Sequence, residues 1–262
     1  MIAAQRRPWS RWWPLLLAAV LVLAACSDSD DEELTVFAAA SLRSVVAELE
    51  TAWLEEHPDT RLTVASEASN VLAAQIAEGA PADVFLSADT LRPAELTAQG
   101  LTAGQPQPFV RNRLSLVVPA ADGAVRSAAD LVRPGLRIVG ISEGAPITRY
   151  TQQAIEVLAR SAPDPAGFRA AVAANVVSRE DNVRAALAKV ELGEGDAAFV
   201  YVTDARTAEG VREVALPEDV EVTADYAVVQ VSDRPLAAEF VRWLGGPAAL
   251  DVIEAAGFEA SA

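Results

Sequence analysis

Apolar and polar positions change period repeatedly along this chain. Leu34-Thr-Val-Phe37 predicts a short strand, after which Leu42, Val45, Val46, Leu49, Trp53 and Leu54 recur at helical spacing. Arg61-Leu-Thr-Val-Ala65 predicts the next strand, followed by a helix carrying Val71, Leu72 and Ile76 that Gly79 stops. Asp83-Val-Phe-Leu86 is a third strand. This βαβαβ order implies a parallel sheet with helices on both faces, and such sheets bind ligands beyond the carboxyl ends of their strands. A second series begins at Leu114-Ser-Leu-Val-Val-Pro119. Its strands are Leu136–Gly140, Asn175–Val177 and Ala197–Tyr201, with helices from about Ile147 to Arg160 and Asp181 to Leu192 between them. Tyr226–Val231 then leads into helices around Ala237–Leu244 and Ala248–Ala255. The expected architecture is α/β: two lobes with parallel or mixed sheets flanked by helices, joined by strands near 112–118 and 223–231, and a ligand cleft between them.

Residues 1–25 follow a different pattern. Arg6, Arg7 and Arg11 precede an apolar run from Leu15 to Leu23, which is too short to span a bilayer and is followed at once by acids. This reads as a signal peptide. Leu23-Ala-Ala-Cys26 resembles a bacterial lipobox, which implies cleavage before Cys26 and lipidation of its thiol. Cys26 is the only cysteine in the chain, and lipidation accounts for a free thiol in an exported protein. Ser27-Asp-Ser-Asp-Asp-Glu-Glu33 has no apolar residue to bury, so residues 26–33 are expected to form a disordered acidic tether. The protein would then hang from a membrane surface by lipid alone.

Charge narrows the list of partners. The chain has 21 basic and 37 acidic side chains, and removing the three signal-peptide arginines leaves 18 against 37, a net of −19. That balance excludes nucleic acid, whose phosphates need Lys and Arg. It does not exclude a small anion in a dry site. There, a few oriented N–H and O–H donors at contact distance outweigh surface carboxylates screened by water and salt.

Candidate chemistry gathers where strands end. Ser41 and Ser69 each close an extended run just before a helix, and a helix N-terminus presents unpaired N–H groups and a partial positive charge. Serine is also a common N-cap, so each alone has an ordinary explanation. Two of them at one sheet edge point toward an anion. A nucleophilic serine would need a base, but the only His is His57, in Glu55-Glu-His-Pro-Asp59, and the only Lys is Lys189, mid-helix. No His, Cys or carboxylate cluster has metal-ligand spacing, and no cofactor is expected. Ser178-Arg-Glu-Asp-Asn-Val183 reads as another helix start with Ser178 or Asp181 as cap, and Tyr201 closes a buried strand.

Several segments together resemble the molybdate-binding proteins of ABC importers. They are Val36-Phe-Ala-Ala-Ala-Ser-Leu42, Gln75-Ile-Ala-Glu-Gly-Ala-Pro-Ala-Asp-Val-Phe-Leu-Ser-Ala-Asp89, Glu180-Asp-Asn-Val-Arg-Ala-Ala-Leu187, Phe199-Val-Tyr-Val-Thr-Asp-Ala205 and Gly257-Phe258. The resemblance implies a type II periplasmic-binding-protein fold, with residues 34–115 and 226–262 in one lobe and 116–225 in the other. It implies a monomer that catalyses no reaction, captures molybdate and tungstate, and delivers them to an ABC permease with its ATPase. It also implies a tetrahedral oxyanion held by neutral donors: the hydroxyls of Ser41, Ser69 and Tyr201 and the backbone N–H groups of Ile147 and Val183. These would be ligands to the molybdate oxygens, with no bare cation. Ile147 stands where the family often has a small residue, which would tighten the pocket. Glu67 lies two positions from Ser69, and it is expected to face solvent because a carboxylate in the pocket would repel a dianion.

Two alternatives stay open at this level. The same fold could take sulfate or phosphate, although phosphate sites often include a carboxylate, and Arg is the usual bidentate partner. A membrane-anchored sensor module would be the reading from another class.

Overall fold

The computed structural model describes residues 32–121 and 124–261. The signal peptide, Cys26 and the first part of the tether lie outside the described residues.

The first strand is longer than its apolar run. β1 spans Glu32–Ala39, so the last two acids assigned to the tether lie within the sheet. Thr63 Oγ1 donates to Glu33 Oε1 at 2.6 Å, and Glu32 N donates to Asp59 O. A 3₁₀ turn over Ala40–Leu42 links β1 to α1 (Arg43–Glu56). Then come β2 (Thr60–Glu67), α2 (Ser69–Ala77), β3 (Val84–Ser87), α3 (Leu91–Ala98) and β4 (Gln107–Pro119). The second series holds β5 (Ile138–Ile141), α4 (Pro146–Arg160), α5 (Pro165–Ala174), β6 (Val176–Glu180), α6 (Val183–Glu191), β7 (Ala197–Tyr201), α7 (Val202–Thr207) and β8 (Val211–Val214). β9 (Thr223–Gln230), α8 (Pro235–Trp243), α9 (Pro247–Ala255) and β10 (Glu259–Ala260) complete the chain. The helices α3, α5 and α7 and the strands β8 and β10 are additions to the elements expected from periodicity.

The strands run in the order β2-β1-β3-β9-β4-β7-β5-β6, with β8 and β10 paired onto β4. β1 pairs with β2 and β3 in parallel, and β5 pairs with β6 and β7 in parallel. β9 and β4 run antiparallel to their neighbours, so the sheets are mixed. β4 belongs to both lobes. Up to Arg113 it pairs with β9, and from Leu114 onward with β7.

Alternation along β1 places helices on both faces of the first sheet. Leu34, Val36 and Ala38 pack with Val45, Val46, Leu49 and Trp53 of α1, all buried. Phe37 points the other way, with Phe85, Leu72, Ile76 and Leu96 from β3, α2 and α3. Each such fully buried large side chain stabilises the fold by roughly 1.5–3 kcal/mol. Asp83, from the Ala-Asp-Val motif, is a clasp within this lobe. It accepts from Thr35 N at 2.9 Å, Ser232 Oγ at 2.6 Å and Arg234 Nη1 at 2.8 Å, tying β1 to the segment after β9.

Candidate functional site

Four helix starts meet at the carboxyl ends of the strands. Ala39, Ala40 and Ser41 come from the turn before α1, and Ala68 and Ser69 from the start of α2. Ala145, Pro146 and Ile147 come from the start of α4, and Asn182 and Val183 from the start of α6. With Ala88 and Tyr201 they line one cavity offering about 20 Å³ to the centre of a water molecule. A single water needs roughly 10–15 Å³ on that measure, so the cavity suits one small species. All five residues singled out by resemblance reach it.

Both serines differ from the capping role that their position suggests. The cap position before α2 is Ala68, and neither Ser41 nor Ser69 bonds the first turn of its own helix. Ser69 is buried, and its Oγ accepts from Ala88 N at 3.0 Å. That leaves the Ser69 proton free to donate into the cavity. Ser41 Oγ lies 2.8 Å from the Tyr226 hydroxyl. With Tyr226 donating, the Ser41 proton is likewise free. Burial pushes the Tyr226 hydroxyl well above the ordinary tyrosine range, which keeps its proton in place. Tyr226 is the functional residue that sequence reading missed. It lies 185 positions from Ser41, and no local pattern links them.

Tyr201 is 2% exposed, and its hydroxyl faces that of Tyr226 without completing a well-formed hydrogen bond. Burial also raises its pKa well above the ordinary value, so it stays protonated and able to donate. An orphaned buried hydroxyl costs about 1–3 kcal/mol, which makes it a donor awaiting an acceptor. The backbone N–H groups of Ile147 and Val183 lie in first turns, where a helix supplies no acceptor. Pro146 at the start of α4 fits the same logic, since its missing N–H would have been an orphan anyway.

The cap of α6 is Asn182, whose side chain accepts from Ala185 N at 3.1 Å, replacing Ser178 and Asp181 in that expected role. Ser178 lies inside β6. Glu67 corrects a second expectation. It stays out of the cavity lining but is only partly exposed: one carboxylate oxygen accepts from Ala68 N at 3.0 Å and from Asn182 Nδ2 in the other lobe. The lobes also touch through Arg184 Nη2 to Ser44 Oγ at 2.9 Å and Arg92 Nη2 to Gly144 O at 3.1 Å. Gly144 has φ +94°, and a Cβ there would sit 3.6 Å from Asn70 Nδ2 across the cleft. That distance is an ordinary contact, so it is the positive φ that calls for glycine.

Beneath Tyr201 the fully buried Asp204 pairs with the partly buried Arg184. Asp204 Oδ1 is 3.0 Å from Arg184 Nε, and its other oxygen accepts from Tyr201 N at 3.3 Å. Burial pushes the Asp204 carboxyl up to about 7 against the pull of Arg184 and of that N–H. No charged side chain is among the described residues lining the cavity. His57 has a structural role elsewhere. It stacks on Trp53 at 3.5 Å between ring centroids and meets Glu239 at 3.2 Å, so it offers no base to either serine. Among the described residues, no cluster of His, Cys, Asp or Glu could hold a metal ion.

A family model described as bacterial extracellular solute-binding protein matches residues 34–259. The molybdate-binding protein ModA of Mycobacterium tuberculosis is 34% identical over 269 residues, covering 95% of this chain and 98% of the relative. The periplasmic molybdate-binding protein of Azotobacter vinelandii matches in fold with a TM-score of 0.74 at 22% identity, over 87% of this chain and all of that one. The sulfate-binding protein SubI of Mycobacterium tuberculosis matches with a TM-score of 0.73 at 20% identity, over 87% of this chain and 86% of that one. The chain belongs to the bacterial extracellular solute-binding protein family, a family of binding components without catalytic activity, and stands with the molybdate-binding proteins within it.

Proposed function

We infer that this protein captures molybdate outside the cytoplasm and hands it to an ABC importer. What supports this reading is that five neutral donors belong to residues lining one small cavity, with no charged side chain among its described lining. Three are the hydroxyls of Ser41, Ser69 and Tyr201, and two are the backbone N–H groups of Ile147 and Val183. A tetrahedral oxyanion offers acceptor atoms in all directions and no donors, the complement of such a lining. The negative surface does not oppose this, because short contacts in a dry site dominate screened long-range repulsion.

The fold by itself does not choose the anion, since molybdate- and sulfate-binding proteins share it. The choice of molybdate rests on the ModA relative, and size would enforce it. Donors fixed for the larger ion cannot all reach sulfate, and each one left behind stays desolvated and unpaired. Charge cannot discriminate, as both are dianions. Phosphate is disfavoured because no carboxylate lines the cavity to accept its proton. Tungstate, close to molybdate in size and shape, belongs to the same reading. Calorimetric titration with molybdate, tungstate, sulfate and phosphate tests it. Molybdate and tungstate should bind tightly and sulfate far more weakly, and sulfate binding as tight as molybdate would overturn the assignment.

The same reading includes a monomer anchored by lipid on Cys26, with residues 34–115 and 226–262 forming one lobe and 116–225 the other. Residues 223–231 and the strand through 112–118 are the segments on which the lobes would close.

A further inference from the structure

Glu67 sits where an anion-binding protein has least use for a carboxylate, yet it touches both halves of the cleft. It is the last residue of β2, and α2 starts two residues later. Its Oε1 accepts from Ala68 N, at the start of the first-lobe donor helix. The same oxygen accepts from Asn182 Nδ2, and Asn182 caps the second-lobe donor helix through its own Oδ1. Ala68 and Asn182 both line the cavity. One oxygen atom therefore joins the helix that presents Ser69 to the helix that presents the Val183 N–H.

We propose that Glu67 is a positioning residue: its carboxylate latches α2 to α6, holds the cleft closed, and sets how slowly a bound oxyanion leaves. The proposal rests on the oxyanion reading above. Its logic is a balance of two effects. The negative charge near the cavity repels a dianion, which weakens binding. The charge-assisted bonds across the lobes exist only in the closed state, so they favour that state and slow its opening. Closed-state bonds act on dissociation, whereas charge near the entrance acts mainly on association.

The two effects separate in a small set of variants. Glu67→Ala removes latch and charge together, Glu67→Gln removes the charge and keeps an acceptor oxygen, and Asn182→Ser keeps a capping oxygen while losing the donor that reaches Glu67. Stopped-flow measurement of molybdate association and dissociation, with calorimetry, reads each one. The latch predicts dissociation about tenfold faster in Glu67→Ala and in Asn182→Ser, on the scale of one hydrogen bond. It predicts no further acceleration when both are combined, and slow dissociation recovered in Glu67→Gln. Tighter binding in both Glu67→Ala and Glu67→Gln, or unchanged dissociation in Glu67→Ala, would overturn it and identify Glu67 as a repulsive bystander. X-ray scattering without ligand adds a readout independent of the anion's identity. Without ligand the parent samples open and latched forms, so Glu67→Ala should have a larger radius of gyration than the parent, and an identical one counts against the latch. A parent protein that fails to bind molybdate, yet shows this ligand-free expansion on Glu67→Ala, would sink the functional reading and leave the latch standing.

Discussion

Ser41 and Ser69 carry the same side chain and reach the same readiness by different routes. Ser69 accepts from a backbone N–H, which leaves its proton free, and Ser41 keeps a free proton with the Tyr226 hydroxyl donating to it. A hydrogen bond to a charged group contributes about 1.5–3 kcal/mol, so Ser41→Ala or Ser69→Ala should weaken molybdate binding about ten- to a hundredfold by calorimetry. Ile147→Ala should do far less, because its backbone donor survives. Wild-type affinity in both serine variants would refute the site. Asp204 yields a prediction about stability. Its carboxyl is raised to about 7 in the folded state from 3.8, so between those values the folded protein binds more protons than the unfolded chain. Stability is then fullest below about pH 4 on this account and declines as pH rises through 7. Denaturation across pH 4–8 should show this slope in the parent, and Asp204→Asn should flatten it. An unchanged slope in Asp204→Asn would remove Asp204 as its source.

At the scale of elements, each helix start contributes a donor for a reason visible in its own first turn. α4 begins with Pro146, α6 with the Asn182 cap, and α2 with Ala68 in extended conformation ahead of Ser69. Periodicity predicted the long helices because a stripe such as Val45, Val46, Leu49 and Trp53 is a local signal. It missed α3, α5 and α7: Pro93 interrupts the pattern of α3, α5 is half alanine, and the short run Val202–Thr207 has no room for a period to repeat. α1 is anchored by an aromatic cluster. Trp53 is fully buried, stacks with His57, lies edge-on to Phe240 and Trp243, and donates to Thr60 Oγ1 at 2.8 Å. Trp53→Ala should cost about 3–5 kcal/mol in chemical denaturation while leaving the molybdate dissociation constant of the folded fraction unchanged. A loss below 1 kcal/mol would show that the cluster repacks around the gap.

For the whole molecule, donors from both lobes must converge on one ion, so an oxyanion binds the closed arrangement in preference to any open one. X-ray scattering should show a smaller radius of gyration with saturating molybdate, and identical profiles would count against closure between the lobes. Attachment to the membrane is a separate matter. Cys26→Ala should release the protein from the membrane fraction with ligand binding intact, and unchanged membrane association would sink the lipid anchor. Among the described residues no helix is long and apolar enough to cross a membrane.

The α/β order, the strand ends bearing Ser41 and Ser69, and the exclusion of nucleic acid were all written in local pattern and composition. Those are properties of neighbouring residues, so a linear reading captures them. The five proposed ligand positions were legible as a set only through resemblance to a family, because nothing local marks Ile147 or Val183 as donors. Three features had no local signature. The Tyr226–Ser41 contact, the Asp204–Arg184 pair under Tyr201 and the Glu67–Asn182 bond each join residues far apart in the chain. Glu67 shows the difference most clearly. Electrostatics alone sent its carboxylate to solvent, but folding brought an Asn182 donor within reach, and a hydrogen-bonded carboxylate at the cleft became favourable. Tertiary structure decides such cases because the energy of a polar side chain depends on which partners surround it, and those are set by the topology of the whole sheet.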